Sequence, residues 1–177
     1  MKVLLYCTKA KPFLFEVTEN DNQVLYVTTR LGNADNWRIN HKKILNGRIV
    51  AMCDIETEEI KLSEYPYSDD CSITLLDTDT LTNDELLYES CLYDYELDDY
   101  LIGQKGYALH IKNLKIFDKP KELYEYNTIK APQNMMRVYD ANRNKYILIS
   151  VQSEWLCKIL NGEKTIEVRK KVLKEML

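Results

Sequence analysis

The chain has little of what metal sites, disulfide frameworks and disordered segments are built from. Its 177 residues include only two His and five Cys, and no two Cys are spaced as C-x-x-C. We therefore expect no metal or other cofactor, and the odd number of scattered Cys indicates reduced thiols in a cytoplasmic protein. Gly and Pro are scarce, at five and four residues, while 45% of the chain is hydrophobic. This composition excludes a disordered chain and predicts a globular one.

Long apolar runs are missing as well. No stretch approaches the roughly 20 residues that a membrane-spanning helix needs. The apolar run near the N-terminus, KVLLY, is too short to predict a secretory signal. We therefore expect no membrane partner. A chain of 177 residues has the length of one ordinary domain and can bury a sizeable core.

Basic residues are almost absent from one section of the chain. Between Asp54 and Tyr100 there are 16 Asp or Glu and one basic residue, Lys61, which gives a net charge of −15. The rest of the chain has 23 Lys or Arg and 12 Asp or Glu, a net charge of +11, and the two values add to −4. A basic surface would attract an anionic partner such as RNA or a nucleotide. The acidic section is either a solvated helical insert, at about 63–103, or an interaction surface that mimics nucleic acid or docks a basic host protein.

What is present is a β-rich chain interrupted by helical segments. Thr82 and Glu85, three residues apart, form a capping-box pattern ahead of an apolar run, which predicts a helix. A second short helix in YELDDYLIG is expected to end at Gly103. The runs with the residue types of strands are 2–6, 13–17, 23–30, 47–62, 107–117 and 145–151. The order β-rich, helical, β-rich predicts a mixed α+β, barrel-like domain.

The pentapeptide Lys-Ile-Leu-Asn-Gly occurs twice, at 43–47 and at 158–162. Before the second copy, Ser153 is a predicted N-cap, and SEWLCKIL has apolar residues at helical spacing. Gly162 then ends the helix, because glycine adopts the left-handed conformation at little cost, and KTIEVR follows as a strand. The first copy has no helical pattern before it, so we interpret it as a turn into a strand. The pentapeptide is therefore not an internal repeat.

The segment ILISVQSEWLCKILNGEKTIEVRKK resembles the signature of the ASCH domain, a member of the PUA-like superfamily. That family shows a strand, a helix and then Gly-x-Lys-x-x-Glu-x-Arg entering the next strand. Gly162, Lys164, Glu167 and Arg169 occupy those four positions, while a Lys that is usual before the helix is replaced by Gln152. NGRIVAMCDIETEEI and GYALHIKNLKIFDKPKEL also resemble the family. KVLLYCTKAKP resembles the strand that normally comes after the signature strand.

The order of these segments differs from the usual one, since the signature comes last and the YCTK strand comes first. Joining Leu177 to Met1 would restore the familiar order. We therefore interpret residues 1–177 as one circularly permuted ASCH domain, with the signature segment at 146–171. Two alternatives remain open: a first domain followed by a truncated second one, and a strand exchanged between subunits.

The resemblance implies an α+β, PUA-like fold, a small mixed β-barrel with short flanking helices. It also implies a basic cleft beside the signature turn that holds RNA, a modified base or a nucleoside. Lys164 would be its central cation, with Glu167 and Arg169 near it. The further candidate binding residues are Gly162 in the turn, Tyr6, Thr8 and Lys9 on the adjoining strand, and Trp37 and Arg38, whose planar groups can stack on an unstacked base.

Three functions follow from this reading. The first is a binding module for RNA, a nucleoside or a nucleotide. The second is a metal-independent hydrolase of modified nucleosides or RNA, with Lys164 and Glu167 as the reacting pair. The third is a phage or mobile-element counter-defence protein that binds a nucleotide or a host protein, because compact ASCH-like proteins occur in such elements.

The residue at position 167 bears on the choice between binding and catalysis. A branch of the family that hydrolyses N4-acetylcytidine has Thr where this chain has Glu167. Because a neighbouring carboxylate raises the pKa of a lysine, Glu167 favours binding over catalysis. A purely structural reading is also open, in which Lys164, Glu167 and Arg169 are salt-bridged residues on an exposed strand face.

Overall fold

The computed structural model describes residues 1–8, 13–19, 22–28, 42–44, 47–67, 71–102 and 104–177, and side chains at 1–8, 47–61, 76, 78–102 and 104–177. Within these residues the protein is mixed α+β. Its strands are β1 Lys2–Cys7, β2 Phe13–Glu19, β3 Asn22–Thr28, β4 Lys42–Ile44, β5 Ile49–Tyr67, β6 Cys71–Asp77, β7 Gly106–Lys121, β8 Met135–Tyr139, β9 Lys145–Val151 and β10 Ile166–Arg169. Its α-helices are α1 Asn83–Ser90, α2 Asp94–Leu101 and α3 Ser153–Leu160, and single 3₁₀ turns lie at Leu123–Tyr126 and Lys174–Met176.

The chain divides into two compact units. The first comprises Met1–Asp54 and Lys112–Glu163, and the second comprises Ile55–Ile111 and Lys164–Leu177. The long strands β5 and β7 each contribute residues to both units. That residues 1–177 form one permuted domain stays a prediction.

In the first unit, β1 is an interior strand with a neighbour on each edge. It pairs in parallel with β9, from Val3 opposite Ile147 to Cys7 opposite Val151, and antiparallel with β5. Five consecutive residues of β1, Val3 to Cys7, are buried, so both faces of this strand are covered. KVLLYC is accordingly apolar after its first residue instead of alternating. β8 extends this arrangement by pairing antiparallel with β9. The core cluster of this unit consists of Leu4, Tyr6, Ile49, Val138 and Leu148.

A smaller sheet joins three further strands of the first unit. β2 pairs antiparallel with β3 in a hairpin, from Phe13 opposite Thr28 to Glu19 opposite Asn22. The turn-residue cluster TENDN predicts this hairpin. β4 pairs in parallel with β3.

In the second unit, two short helices pack on strands around a separate core. α1 contributes Leu86, and α2 contributes Leu97 and Leu101, which lie four residues apart and therefore share one helix face. The strand residues in this cluster are Ile60, Leu76, Ala108, Ile166 and Val168. β10 pairs antiparallel with β7, so that Ile166 lies opposite His110 and Arg169 lies opposite Tyr107. Among the described residues of the predicted insert at about 63–103, the C-terminal half forms α1 and α2, whereas the residues before it pair as strands in β5 and β6.

The helix ends follow local signals with two differences. The predicted capping box is present, since the Thr82 hydroxyl accepts from the backbone N–H of Glu85 and the Glu85 carboxylate accepts from that of Thr82. α2 ends at Leu101 with a left-handed C-cap at Ile102 (φ 53°), one residue before the predicted stop at Gly103, which lies outside the described residues. Gln152 is the N-cap of α3, so Ser153 is its first helical residue and not its cap.

The main sheet has the hydrogen-bonded strand order β10-β7-β5-β1-β9-β8, with β6 pairing with β5. The described pairings do not join β10 to β8, so the sheet is not closed and the predicted barrel is not confirmed. No helix in the described part of the chain is long and apolar enough to span a membrane.

Candidate functional site

The signature turn is shaped by a left-handed glycine. α3 ends at Leu160, and Gly162 follows with φ 76°. A Cβ added to Gly162 would meet nothing within 4 Å. Glycine is therefore suited to this position by its backbone conformation and not by lack of space. Two residues later, Lys164 introduces β10.

Lys164 has one of the most buried charged side chains in the described residues. Its side chain is 2% exposed, and those of Glu167 and Arg169 are 13% and 12% exposed. The Lys164 amine donates to the backbone carbonyl of Ser90 at 2.5 Å and lies 3.5 Å from Glu167 Oε2. Arg169 NH2 lies 2.7 Å from Glu167 Oε1. The three residues are therefore salt-bridged, as the structural reading expects, but the expectation that they lie on an exposed strand face is wrong. We call them the signature cluster.

The signature cluster is held against the end of α1. Ser90 is the last residue of that helix, and a lysine there is favoured by the negative end of the helix dipole. Thr165, the residue after Lys164, is held against α1 as well. Its N–H donates to the Glu89 carbonyl at 2.9 Å, and its hydroxyl donates to the Glu89 carboxylate at 2.8 Å. These contacts join residues more than 70 positions apart.

Burial sets the charge preference of Lys164. Desolvation lowers the pKa of Lys164, and it outweighs the opposing effects of Glu167 and Cys91. The positive charge of Arg169 lowers this pKa further. Glu167 raises the pKa of Lys164, as expected, but the net shift of that pKa is downwards, opposite to the expectation, because the effect of desolvation is larger. The cluster thus combines an amine that is more readily neutral with a carboxylate held by an arginine.

A second polar network in the same unit joins His110 to a carboxylate. Glu58 Oε2 lies 2.9 Å from His110 Nε2 and accepts from the Thr80 hydroxyl at 2.8 Å. Glu58 Oε1 accepts from the Thr80 N–H at 2.7 Å. These partially buried groups satisfy one another, which supports a structural role for His110. Within the described residues, no group of three or more His, Cys, Asp or Glu is arranged to hold a metal ion.

The first unit contains a cavity of about 690 Å³. Its lining comes from the YCTK strand (Tyr6, Thr8), the glycine of the first pentapeptide (Gly47), the segment after β7 (Glu122, Leu123, Tyr124, Thr128, Ile129, Lys130, Ala131, Pro132) and β9 (Ser150). The volume lies within the roughly 300–1,000 Å³ range of small-molecule sites. The lining thus includes two tyrosines, three hydroxyl-bearing Ser or Thr, one lysine and one glutamate.

Hydrogen bonds fix one wall of this cavity. The Ser150 hydroxyl donates to the Pro132 carbonyl at 2.6 Å, and the Ser150 N–H donates to the Asn134 carbonyl at 3.0 Å. Burial raises the pKa of Tyr6, so its phenol is neutral at physiological pH. The Thr8 hydroxyl oxygen is buried and has no hydrogen-bond partner among the described residues.

The predicted site residues fall into three groups. Lys164, Glu167 and Arg169 meet in the second unit, following the turn at Gly162. Tyr6 and Thr8 line the cavity of the first unit. Lys9, Trp37 and Arg38 lie outside the described residues.

Sequence reasoning missed Ser90 and the cavity wall at 122–132. Ser90 acts through its backbone carbonyl, which any residue carries, so no sequence signal identifies it. The wall segment follows a strand and contains Pro132, and in the sequence it is only a polar connection.

Comparisons of the chain with protein-family models, curated proteins and solved structures found no significant match. The ASCH resemblance therefore stays a hypothesis that depends on the signature residues themselves.

Proposed function

We propose that this protein is a PUA-like binding module for RNA, a nucleoside or a nucleotide, and that the cavity of the first unit receives the base. The observation that supports the proposal most directly is the cavity lining. Tyr6 and Thr8, which the resemblance assigns to ligand binding, both line a space large enough for a nucleoside.

The chemistry of the lining suits an unstacked base. Aromatic faces such as that of Tyr124 can stack on a base, and hydroxyl groups such as those of Thr128 and Thr8 can bond to its edge. Lys130 supplies a cation for a phosphate, while the Glu122 carboxylate on the same wall is paired with Arg48. A lining with a single lysine favours a nucleoside or a base within RNA over a triphosphate.

A ligand panel tests this function. Nucleosides, nucleotides and short single-stranded RNAs are first screened by thermal shift, because a ligand that binds only the native state raises the Tm. The Kd of each positive ligand is then measured by calorimetry. Tyr124→Ser is expected to weaken binding by about tenfold or more, which corresponds to the loss of one stacking contact of roughly 1–3 kcal/mol.

Two further variants sharpen the test. Thr8→Val keeps the side-chain shape and removes a buried hydroxyl, so it should weaken binding without lowering the Tm of the free protein. Tyr139→Ser removes a half-exposed tyrosine that does not line the cavity and serves as the matched control. The proposal is overturned if no panel member binds, or if Tyr139→Ser weakens binding as much as Tyr124→Ser.

A hydrolase of acylated nucleosides or RNA is the second candidate, and burial of Lys164 favours it. A lysine with a lowered pKa can act as a base or nucleophile, and Glu167 lies 3.5 Å from its amine. If the protein is such an enzyme, kcat/KM should rise with pH as the Lys164 amine loses its proton, and Glu167→Gln should reduce kcat. Turnover that Lys164→Met leaves intact would exclude this pair as the reacting groups.

A further inference from the structure

The outer face of α2 carries exposed aromatic rings among carboxylates. Tyr93 and Tyr95 are 68% and 65% exposed, and their rings stack in parallel with centroids 5.7 Å apart. Asp98 and Asp99 lie three and four residues after Tyr95 and therefore share its side of the helix. Both aspartates are exposed. We call these four residues the tyrosine–carboxylate face.

This region holds half of the exposed large hydrophobic side chains that the structure describes. Among the described residues, ten large hydrophobic side chains are exposed, and five of them lie between Tyr88 and Ile102. Tyrosine is enriched at protein interfaces and in their energetic hot spots, because a rigid ring buries a large area at little entropic cost. The face therefore has the composition of an interface and not that of an ordinary solvated helix.

The charge of the region defines what it attracts. No Lys or Arg occurs between Lys61 and Lys105, so neither α1 nor α2 carries a cation of its own. Partial burial, followed by the charges of Asp94 and Asp99, raises the pKa of Asp98. A cation from outside the helix would relieve the part of this shift that comes from the charges of Asp94 and Asp99.

One tyrosine of α2 already contacts a lysine of the same unit. The Lys170 amine lies 5.1 Å from the centroid of the Tyr100 ring, within the range of a cation–π interaction. A tyrosine ring of α2 and an ammonium group are thus already in contact within this chain.

We propose that the tyrosine–carboxylate face docks a lysine- or arginine-rich segment of a partner protein. Basic side chains of that segment pair with Asp98 and Asp99, while their stems and guanidinium planes lie on the rings of Tyr93 and Tyr95. RNA carries the wrong charge for this face. The tyrosine–carboxylate face differs in chemistry from the cavity of the first unit, and the proposal does not depend on ligand binding in that cavity.

A labelled lysine- and arginine-rich peptide tests the proposal with the full chain in fluorescence anisotropy at about 0.15 M salt. The wild-type chain should bind, and Tyr93→Ser/Tyr95→Ser should raise the Kd about tenfold without any change in charge. Asp98→Asn/Asp99→Asn should raise it by a similar factor. Asp118→Asn/Glu154→Gln, which removes the same two charges at exposed positions elsewhere, should change it by less than about twofold.

Three outcomes would overturn the proposal. One is absence of peptide binding to the wild-type chain. Another is an equal loss in the Asp118→Asn/Glu154→Gln control, which would show attraction by net charge alone. The third is concentration-dependent self-association that Tyr93→Ser/Tyr95→Ser abolishes while the peptide does not bind, which would assign the face to a second copy of the chain. Circular dichroism of each variant verifies that α2 remains folded.

Discussion

Lys164 shows how the surroundings of one residue change its chemistry. In the sequence, Lys, Glu and Arg alternate as they do on many exposed strands. In the structure, the amine is buried against the Ser90 carbonyl and the Glu167 carboxylate. Burial of a charge is costly unless it is paired and hydrogen-bonded, and both partners here reduce that cost. The remaining desolvation still lowers the pKa of Lys164.

The lowered pKa makes a prediction about stability and pH. Between the folded and the higher unfolded pKa of Lys164, the folded state binds fewer protons, so this residue adds stability as pH rises. Lys164→Met lacks this pH-dependent contribution to stability. The free energy of unfolding of the wild type should therefore rise relative to that of Lys164→Met as the pH is raised from neutral towards the ordinary lysine pKa of 10.5, by at most about 1.4 kcal/mol per pH unit.

Urea unfolding of both proteins at several pH values measures this difference. Lys174→Met, at an exposed lysine of the same unit, is the control for any general effect of removing a charge. A stability difference between the wild type and Lys164→Met that is constant over this pH range would contradict the prediction.

At the scale of elements, strong local signals predicted structure best. The capping box of α1 needs only Thr82 and Glu85, three residues apart, and it is present. α3 and β10 likewise lie where an apolar helical stripe, a glycine and an alternating strand predict them. β8 was missed, because MMRVY is short and follows a polar stretch, and its pairing with β9 is what defines it.

In β7, a proline led to a predicted end of the strand that the structure does not show. The sequence DKPKEL predicts a break after Phe117, yet β7 continues through Lys121 and includes Pro120. Proline fixes φ near a value that extended backbone tolerates, and it is excluded from a strand only where its missing N–H is required for pairing. Sequence alone does not show whether that N–H is required.

Gly162 allows a prediction at the junction of α3 and the signature turn. Gly162→Ala should lower the free energy of unfolding by about 1 kcal/mol, because alanine is strained at φ 76°. Gly162→Asn should cost less, since asparagine tolerates the left-handed region better than other residues. There is room for both side chains at the Cβ position. Chemical denaturation measures both, and a larger loss for asparagine would show that space and not backbone conformation is limiting.

At the scale of the whole molecule, the arrangement of segments remains the main hypothesis. β1, which ends with the Tyr6 and Cys7 of YCTK, pairs in parallel with β9, the first strand of the signature segment. The resemblance of each segment to the ASCH family stays a hypothesis, and the pairing shows that two segments distant in sequence are neighbours in one sheet. The described pairings place β10 beside β7 and not beside β1, so the expectation that Tyr6 and Thr8 adjoin the signature strand is wrong.

A chain in the familiar order tests the permutation. Leu177 is joined to Met1 by a flexible Gly/Ser linker, and new termini are opened between Asn144 and Lys145, in the exposed turn between β8 and β9. If one domain has been permuted, this chain should fold as a monomer, with stability within about 2 kcal/mol of the original. Urea unfolding and light scattering measure these properties. A chain that folds only as a dimer would favour strand exchange, and one that does not fold with any linker length would favour two separate domains.

The sequence by itself determined the α+β class, the start of α1 at the Thr82–Glu85 capping box, the signature turn and the charge asymmetry, because these depend on local patterns and on composition. Tertiary structure decided which charged residues are buried, which residues form the cavity, that β8 is a strand, and where β7 ends. The physical reason is that burial and long-range pairing depend on residues far apart in the chain, as with Lys164 and Ser90, which are separated by 74 positions. No local pattern records such a contact.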